Sequence, residues 1–230
     1  MRSSAHPGDT VGNMTLTART HVLCVDDHEL LLDGLAARIS LEPDLLVVGR
    51  MGSADRIVER VRTLRARIVL LDIALPGPSP FESLIELRDQ APEVGVIMLS
   101  AHIRDHYIDM ALAGGARGYL SKGDPPAAII EGIRKVLGGR IALCDAVVER
   151  LREGGRARAP SGSRLSALSP REMEILRLVG RGMTRSTIAR AVCRSLKTID
   201  SQHTSIMRKL DIHDRAELTR FAIAEGLVEV

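Results

Sequence analysis

RIVLLDIALPGPSPFESLIELR, residues 67–88, contains a strand, a stiff loop and the start of a helix. The run RIVLLD (67–72) is short, continuous and rich in β-branched residues, as strands buried on both faces of a parallel sheet are. Its last residue is a carboxylate, Asp72. The helix start is marked by Ser79 as a cap, by Pro80 where a missing N–H costs nothing, and by Glu82 three residues after the cap.

Working outward, HVLCV (21–25), DLLVVG (44–49), VGVIMLS (94–100) and the shorter GYL (118–120) repeat the strand pattern. Stretches with helical spacing follow each one: Leu30 to Ile39, Ala54 to Leu64, Phe81 to Arg88, Asp105 to Leu112 and Ala127 to Leu137. Five β-α repeats predict a doubly wound α/β domain with a five-stranded parallel sheet.

Beyond Gly138-Gly139 the pattern gives a short helix over Asp145 to Arg152, then EGGRARAPSGS (153–163), whose Gly, Pro, Ser and Arg content predicts a flexible linker. From Ser169 onward only helices are expected. Ser169-Pro170-x-Glu172 is a capping box ahead of Met173, Leu176 and Val179, with Gly180 and Gly182 interrupting the pattern. Thr184 opens a short helix with Ile188, Ala189 and Val192 inward. Ser195 caps a longer one with Leu196, Ile199, Ile206 and Leu210 on one face, and a last helix runs from Arg215 to Glu225 before Gly226. The expected organisation is a disordered tail over 1–18, an α/β domain over 19–142, a linker over 143–163 and a small all-α bundle over 164–230. Within the tail, Met14 is an alternative start to Met1.

A chain of 230 residues with 45% hydrophobic content suits two folded units. Cys24, Cys144 and Cys193 form no C-x-x-C pair and are odd in number, which argues against a disulfide framework or zinc cluster and for a reducing cytoplasm. No signal peptide or transmembrane run of roughly 18 apolar residues is read. Charge divides unevenly: 15 Lys/Arg against 17 Asp/Glu over 19–142, but 12 against 8 over 164–230. A net +4 on the C-terminal unit permits a nucleic-acid partner, because basic side chains displace counterions from phosphate.

In a doubly wound sheet, ligands bind where the carboxyl ends of the strands gather. Asp26 and Asp27 end the first strand, Asp72 the third and Ser100 the fourth, and Lys122 follows the fifth. Clustered carboxylates require a cation, and oxygen donors with open positions suit Mg2+. The chemistry expected is attack by an aspartate on a phosphoryl group, with the cation and Lys122 offsetting charge.

Residues 21–140 resemble the receiver domain of response regulators: Asp26-Asp27, Asp72-x-x-x-Pro76-Gly77, Ser100-Ala101 and Gly115-Ala116-x-Gly118-Tyr119-x-x-Lys122 occur in order and at suitable spacing. The resemblance implies a flavodoxin-like fold with Asp72 as phosphoacceptor. It further implies that Asp27, Asp72 and the Ala74 carbonyl ligate Mg2+, that Asp26 acts through water, and that Ser100 and Tyr119 form a switch pair. The chain departs from the family at Leu75, usually Met, and at Pro80, usually Gly, within a proline-rich loop beside Asp72. A haloacid-dehalogenase-type phosphohydrolase is the alternative, but its second Asp would fall at Ala74.

Residues 165–228 resemble the LuxR-type helix-turn-helix found behind NarL/FixJ-class receivers, through Leu168-Ser-Pro-Arg-Glu172, Gly182-Met-Thr184, Ile188-Ala189, Lys197-Thr-Ile199 and Ile206-Met-Arg-Lys-Leu210. The helix starting near Ser195 is then the one that enters the major groove. Helical spacing places Lys197, Ser201 and Thr204 on one face with Thr198 and Gln202 beside it, while Thr184, Arg194 and Arg208 complete the expected DNA-contacting set. Asp200 is unusual for the family, and the string Arg194 to Gln202 resembles its RcsB-like branch. Cys193 stands in the turn where many relatives have Gly and is expected to pack. His28 and His102, near the acidic site, are expected to be surface residues. Implied partners are a sensor histidine kinase, double-stranded promoter DNA, RNA polymerase and a second copy of the chain when phosphorylated.

Overall fold

The computed structural model describes residues 19–157, 164–225 and 227–228. The expected tail, residues 158–163 of the expected linker, and Gly226 lie outside the described residues. The first unit is a parallel sheet in the order β2-β1-β3-β4-β5-β6, with strands β1 (Thr20–Val25), β2 (Leu45–Met51), β3 (Ile68–Asp72), β4 (Gly95–Ser100), β5 (Gly118–Ser121) and β6 (Ala142–Leu143). Helices α1 (Glu29–Ser40) and α5 (Pro126–Leu137) pack together, as do α2 (Ile57–Leu64), α3 (Pro80–Gln90) and α4 (Asp105–Gly114). The reversal of strand order between β1 and β3 opens the crevice into which the first and third strands deliver Asp26 and Asp72.

The sheet centre follows from its sequence. Every residue of β3 and β4 is buried, which accounts for the continuous apolar runs. The sheet has six strands where five were expected. The addition, β6, pairs Ala142 and Leu143 with Gly118 and Tyr119, and a two-residue strand leaves no periodicity to read. The expected short helix after it is longer than the pattern suggested: α6 spans Asp145–Ala157, so the first part of the expected linker is helical. Ser79 precedes α3 as expected, but its side chain caps nothing, and its buried Oγ has no hydrogen-bond partner among the described residues.

The second unit comprises a 3-10 turn (Arg164–Ala167) and helices α7 (Pro170–Gly180), α8 (Arg185–Ala191), α9 (Leu196–Leu210) and α10 (Arg215–Ala224). Its capping box forms in full: Ser169 Oγ accepts from the Glu172 N–H at 3.2 Å, and Glu172 Oε2 accepts from the Ser169 N–H at 2.8 Å. Glu172 also accepts from Ser205 Oγ at 2.7 Å and Lys209 Nζ at 2.6 Å, so a helix cap doubles as a tie between α7 and α9. Gly180 reads differently in three dimensions from its role as an interruption. A Cβ there would lie 2.5 Å from Val228 Cγ2 and 2.8 Å from Ala222 Cβ, so the glycine lets the C-terminal segment close over α7. Among the described residues no helix is long and apolar enough to cross a membrane.

Two stability tests follow. Ser169→Ala removes one half of the capping box and is expected to cost about 1 kcal/mol, read as a lowered urea midpoint of helical circular dichroism. Burial alone pushes the Glu172 carboxyl up, but the bonds from Lys209, Ser169 and Ser205 outweigh it and hold the group at about 2. A folded-state value below the unfolded one stabilises the protein above the ordinary value of 4.5, and that contribution is lost as pH falls toward 2. Glu172→Gln should flatten the fall in melting temperature measured across this acid range; an unchanged slope would contradict the assignment.

Candidate functional site

At the end of β1 the Asp26 N–H donates to Met51 O at 2.8 Å, which fixes the backbone as the chain leaves the sheet. The Asp26 side chain turns inward and is 2% exposed, while Asp27 remains at the surface. Asp72 ends β3 opposite Leu99 and is fully buried. Lys122 follows β5 on a backbone held by its N–H to Ser100 O at 2.7 Å. Its ammonium lies 2.7 Å from Asp26 Oδ2 and 3.0 Å from Asp72 Oδ2, bridging two carboxylates from different strands.

Four candidate donors meet at this edge: Asp26, Asp27, His28 and Asp72 each place one ligand atom within 4.8 Å of the others. His28 was expected at the surface, and its side chain is exposed. Its Nδ1 nevertheless lies 3.0 Å from Asp26 Oδ1 and 3.1 Å from Asp27 Oδ1, joining the acidic pair. Burial raises the Asp72 carboxyl above its usual range; the Lys122 charge opposes this, and the Asp26 charge adds to it. Asp72 Oδ1 is buried with no hydrogen-bond partner among the described residues. An orphaned carboxylate oxygen beside two further carboxylates fits a hard cation such as Mg2+, which prefers oxygen donors over the neighbouring imidazole.

Ser100 and Tyr119 stand on neighbouring strands, with Ser100 paired to Ser121 and Met98 to Tyr119. Ser100 is fully buried, and its hydroxyl both donates to His102 O and accepts from the His102 N–H at 3.1 Å, turning the loop after β4 back on itself. Tyr119 is fully buried, and its hydroxyl has no hydrogen-bond partner among the described residues. Burial raises its phenol above the usual range. The Ala74 carbonyl, expected to face the acidic site, accepts from Arg177 Nη1 of α7 at 3.4 Å. Sequence reasoning missed Arg177. It sits mid-helix in an apolar stripe, and nothing in its spacing reveals a partner in another domain. Asp72 is among the negative charges that act on it.

In the C-terminal unit, Thr184 Oγ1 accepts from the Thr187 N–H at 3.2 Å to open α8, and Ser195 Oγ accepts from the Thr198 N–H at 3.1 Å to open α9. Between them Cys193 adopts φ +51°, a left-handed conformation natural to glycine, and is exposed. The expectation that it packs is therefore corrected: backbone geometry at the turn points its side chain to solvent. Lys197, Thr198, Ser201, Thr204, Arg208, Arg194 and Thr184 are all exposed, as a reading surface requires.

Three details of α9 differ from the helical wheel. Leu196, expected inward, is 49% exposed because it occupies the first turn before the helix reaches the bundle. His203 takes an unexpected core position at 6% exposure, and Gln202 beside it is half-buried with Oε1 sheltered from solvent. Asp200 is paired with Arg185 of α8 at 2.9 Å, and its carbonyl accepts from Thr204 Oγ1 at 3.0 Å.

Comparison with known proteins gives the same two units. Residues 22–134 match the response regulator receiver domain, and residues 166–222 match the bacterial regulatory proteins of the luxR family. The transcriptional activator protein ExaE of Pseudomonas putida is 31% identical over 91% of this chain and 98% of its own. Response regulator UvrY of Escherichia coli K12 is 30% identical over 90% and 95%. Among solved structures, RcsB from Salmonella enterica serovar Typhimurium, bound to promoter P1flhDC in the presence of phosphomimetic BeF3-, superposes with a TM-score of 0.66 at 25% identity, covering 92% of this chain and all of that one. With a receiver fold, an acidic strand-edge site and a helix-turn-helix in one chain, this protein belongs to the response-regulator transcription factors that join a receiver domain to a LuxR-type DNA-binding domain.

Proposed function

We propose that this regulator accepts a phosphoryl group on Asp72 from a sensor histidine kinase, and that the modification controls dimerisation and promoter binding. The observation that carries the reading is the buried Asp72 with one oxygen on Lys122 and the other without a partner. In the reaction an Asp72 oxygen attacks phosphorus, a P–O bond forms as the P–N bond to the kinase imidazole breaks, and the electron pair leaves with the ring nitrogen. Lys122 offsets charge on the phosphoryl oxygens and holds the Asp72 carboxylate ionised against its burial.

The residues assigned to hold Mg2+ are Asp27, Asp72 and the Ala74 carbonyl, with Asp26 acting through water. When bound, the cation supplies charge neutralisation between acceptor and phosphoryl oxygens. Ser100 and Tyr119 are assigned as the switch pair. A phosphoryl oxygen draws the Ser100 hydroxyl from the His102 backbone, and the buried Tyr119 hydroxyl, unpaired among the described residues, has reason to move with it.

For DNA, Lys197 on α9 is assigned to guanine or phosphate, Thr198 and Ser201 to base or phosphate, and Arg194 and Arg208 to the backbone, with Thr184 and Thr204 completing the contact set. The half-buried Gln202 is assigned to adenine by its amide nitrogen, since its oxygen is sheltered. The RcsB relative bound to a promoter supports the groove-binding role of this helix. The domain limits proposed are 19–142 for the receiver and 164–230 for the DNA-binding unit, joined by 143–163 and preceded by a tail over 1–18. The site of action is the cytoplasm, where promoter and RNA polymerase are met.

Asp72→Asn is expected to abolish labelling by acetyl phosphate and to remove the phosphorylation-dependent gain in promoter affinity measured by gel shift. Labelling that persists in the variant sinks the assignment. Arg194→Ala is expected to weaken binding to specific and unrelated DNA alike and to lower the salt slope of log K by about 1, whereas Lys197→Ala should cost about 1–3 kcal/mol on specific DNA. Equal loss on both DNAs for Lys197→Ala, in an anisotropy titration, would move that residue from base reading to phosphate contact.

A further inference from the structure

Helix α7 carries charge into a buried place. Arg171, Glu174 and Arg177 are each no more than 8% exposed, because the helix packs on α8, α9 and α10 along one side and against α3 of the receiver on the other. A buried charge is costly unless paired. Arg171 is paired: Nη1 lies 2.7 Å from Glu174 Oε2, and Nη2 donates to Val192 O at 3.0 Å. Arg177 makes no ion pair among the described residues. Its two terminal nitrogens instead face consecutive carbonyls of the receiver, Ala74 O at 3.4 Å and Leu75 O at 3.5 Å, in the loop that leaves Asp72. Beside it lies a narrow cleft lined by Ser79, Pro80, Phe81 and Tyr107 of the receiver and by Met173 of α7, with the Phe81 and Tyr107 rings stacked 5.7 Å apart.

The Ala74 carbonyl is the one backbone oxygen in the proposed cation set. A guanidinium donating to it occupies one of its two lone pairs, polarises the oxygen toward itself and holds a positive charge on a ligand that a divalent cation would share. Like charges a few ångströms apart in a poorly solvated setting repel. We propose that Arg177 is an interdomain latch that competes with the divalent cation for the Ala74 carbonyl, so that loading the acidic site and docking α7 on the receiver oppose each other. The inference rests on the assignment of Asp27, Asp72 and Ala74 as the cation site. Because coupling between two binding events is reciprocal, whatever the cation loses to the docked helix, docking loses to the cation. The release acts on the helix whose Glu172 ties it to α9, so the acidic site and the DNA-contacting helix share one mechanical element.

The test uses the full chain and Mg2+ alone. Titration calorimetry compares wild type with Arg177→Met, which keeps the apolar stem and removes the charge, and with Asp27→Asn and Asp72→Asn. The latch requires Arg177→Met to bind Mg2+ at least threefold more tightly than wild type. Hydrogen exchange of the wild type, which needs no variant to fold, should show faster exchange across residues 170–181 of α7 when Mg2+ is added. Mg2+ affinity that Asp27→Asn and Asp72→Asn leave unchanged overturns the cation site and the latch together. Affinity that both Asn variants weaken but Arg177→Met leaves equal or lowers overturns the latch alone, as does slower exchange on adding Mg2+.

Discussion

Two carboxylates from different strands, Asp26 and Asp72, are held side by side in a setting that water scarcely reaches, and each would repel the other without a cation between them. The Lys122 ammonium supplies that cation from a third strand end, at 2.7 and 3.0 Å. The arrangement demands a sheet whose carboxyl edge is fixed to within a fraction of an ångström. Such precision follows from β3 and β4 being buried at every position, with Lys122 itself anchored through its N–H to Ser100 O. The site's chemistry and the sheet's rigidity are thus a single requirement, and the helices serve chiefly to keep both faces of the sheet dry.

What could be read from the residues depended on whether the signal was local. Asp26, Asp72, Ser100 and Lys122 were legible because each closes an apolar run whose direction in a parallel sheet is forced, so their convergence follows from topology alone. Ser169 and Glu172 were legible because a cap is a matter of three residues. Ser79 carried nearly the same signature and makes no side-chain cap; its hydroxyl is instead buried beside the cleft against α7, a neighbour that no local pattern announces. Strand β6, the burial of His203 and the exposure of Leu196 depend on where a neighbouring element lies, and no period records that. Arg177 is the extreme case: its partners are more than 100 residues away in the chain.

Polar groups differ in how fully their bonds are met. Among the described residues both units hold buried polar atoms without a hydrogen-bond partner, at Asp72, Tyr119, Ser79 and His106 in the receiver and at Gln202 and His203 on α9, and two of these groups, Asp72 and Tyr119, are the ones assigned to chemistry and switching. Unpaired groups of that kind store a preference for a different state. In the DNA-binding unit the capping hydroxyls of Ser169, Thr184, Ser195 and the carboxylate of Asp214 are all engaged, so each of its helices starts at a defined point.

The sixth strand bears on how such a signal is confined. Because β6 pins the chain to the sheet edge and α6 carries on to Ala157, only six residues separate that helix from Arg164 at the start of the second unit. Fully extended, that link spans about 25 Å. A tether so short keeps the DNA-binding unit near the receiver at an effective concentration on the order of millimolar. Contacts far too weak to hold two separate proteins together are then enough to keep α7 seated on the receiver.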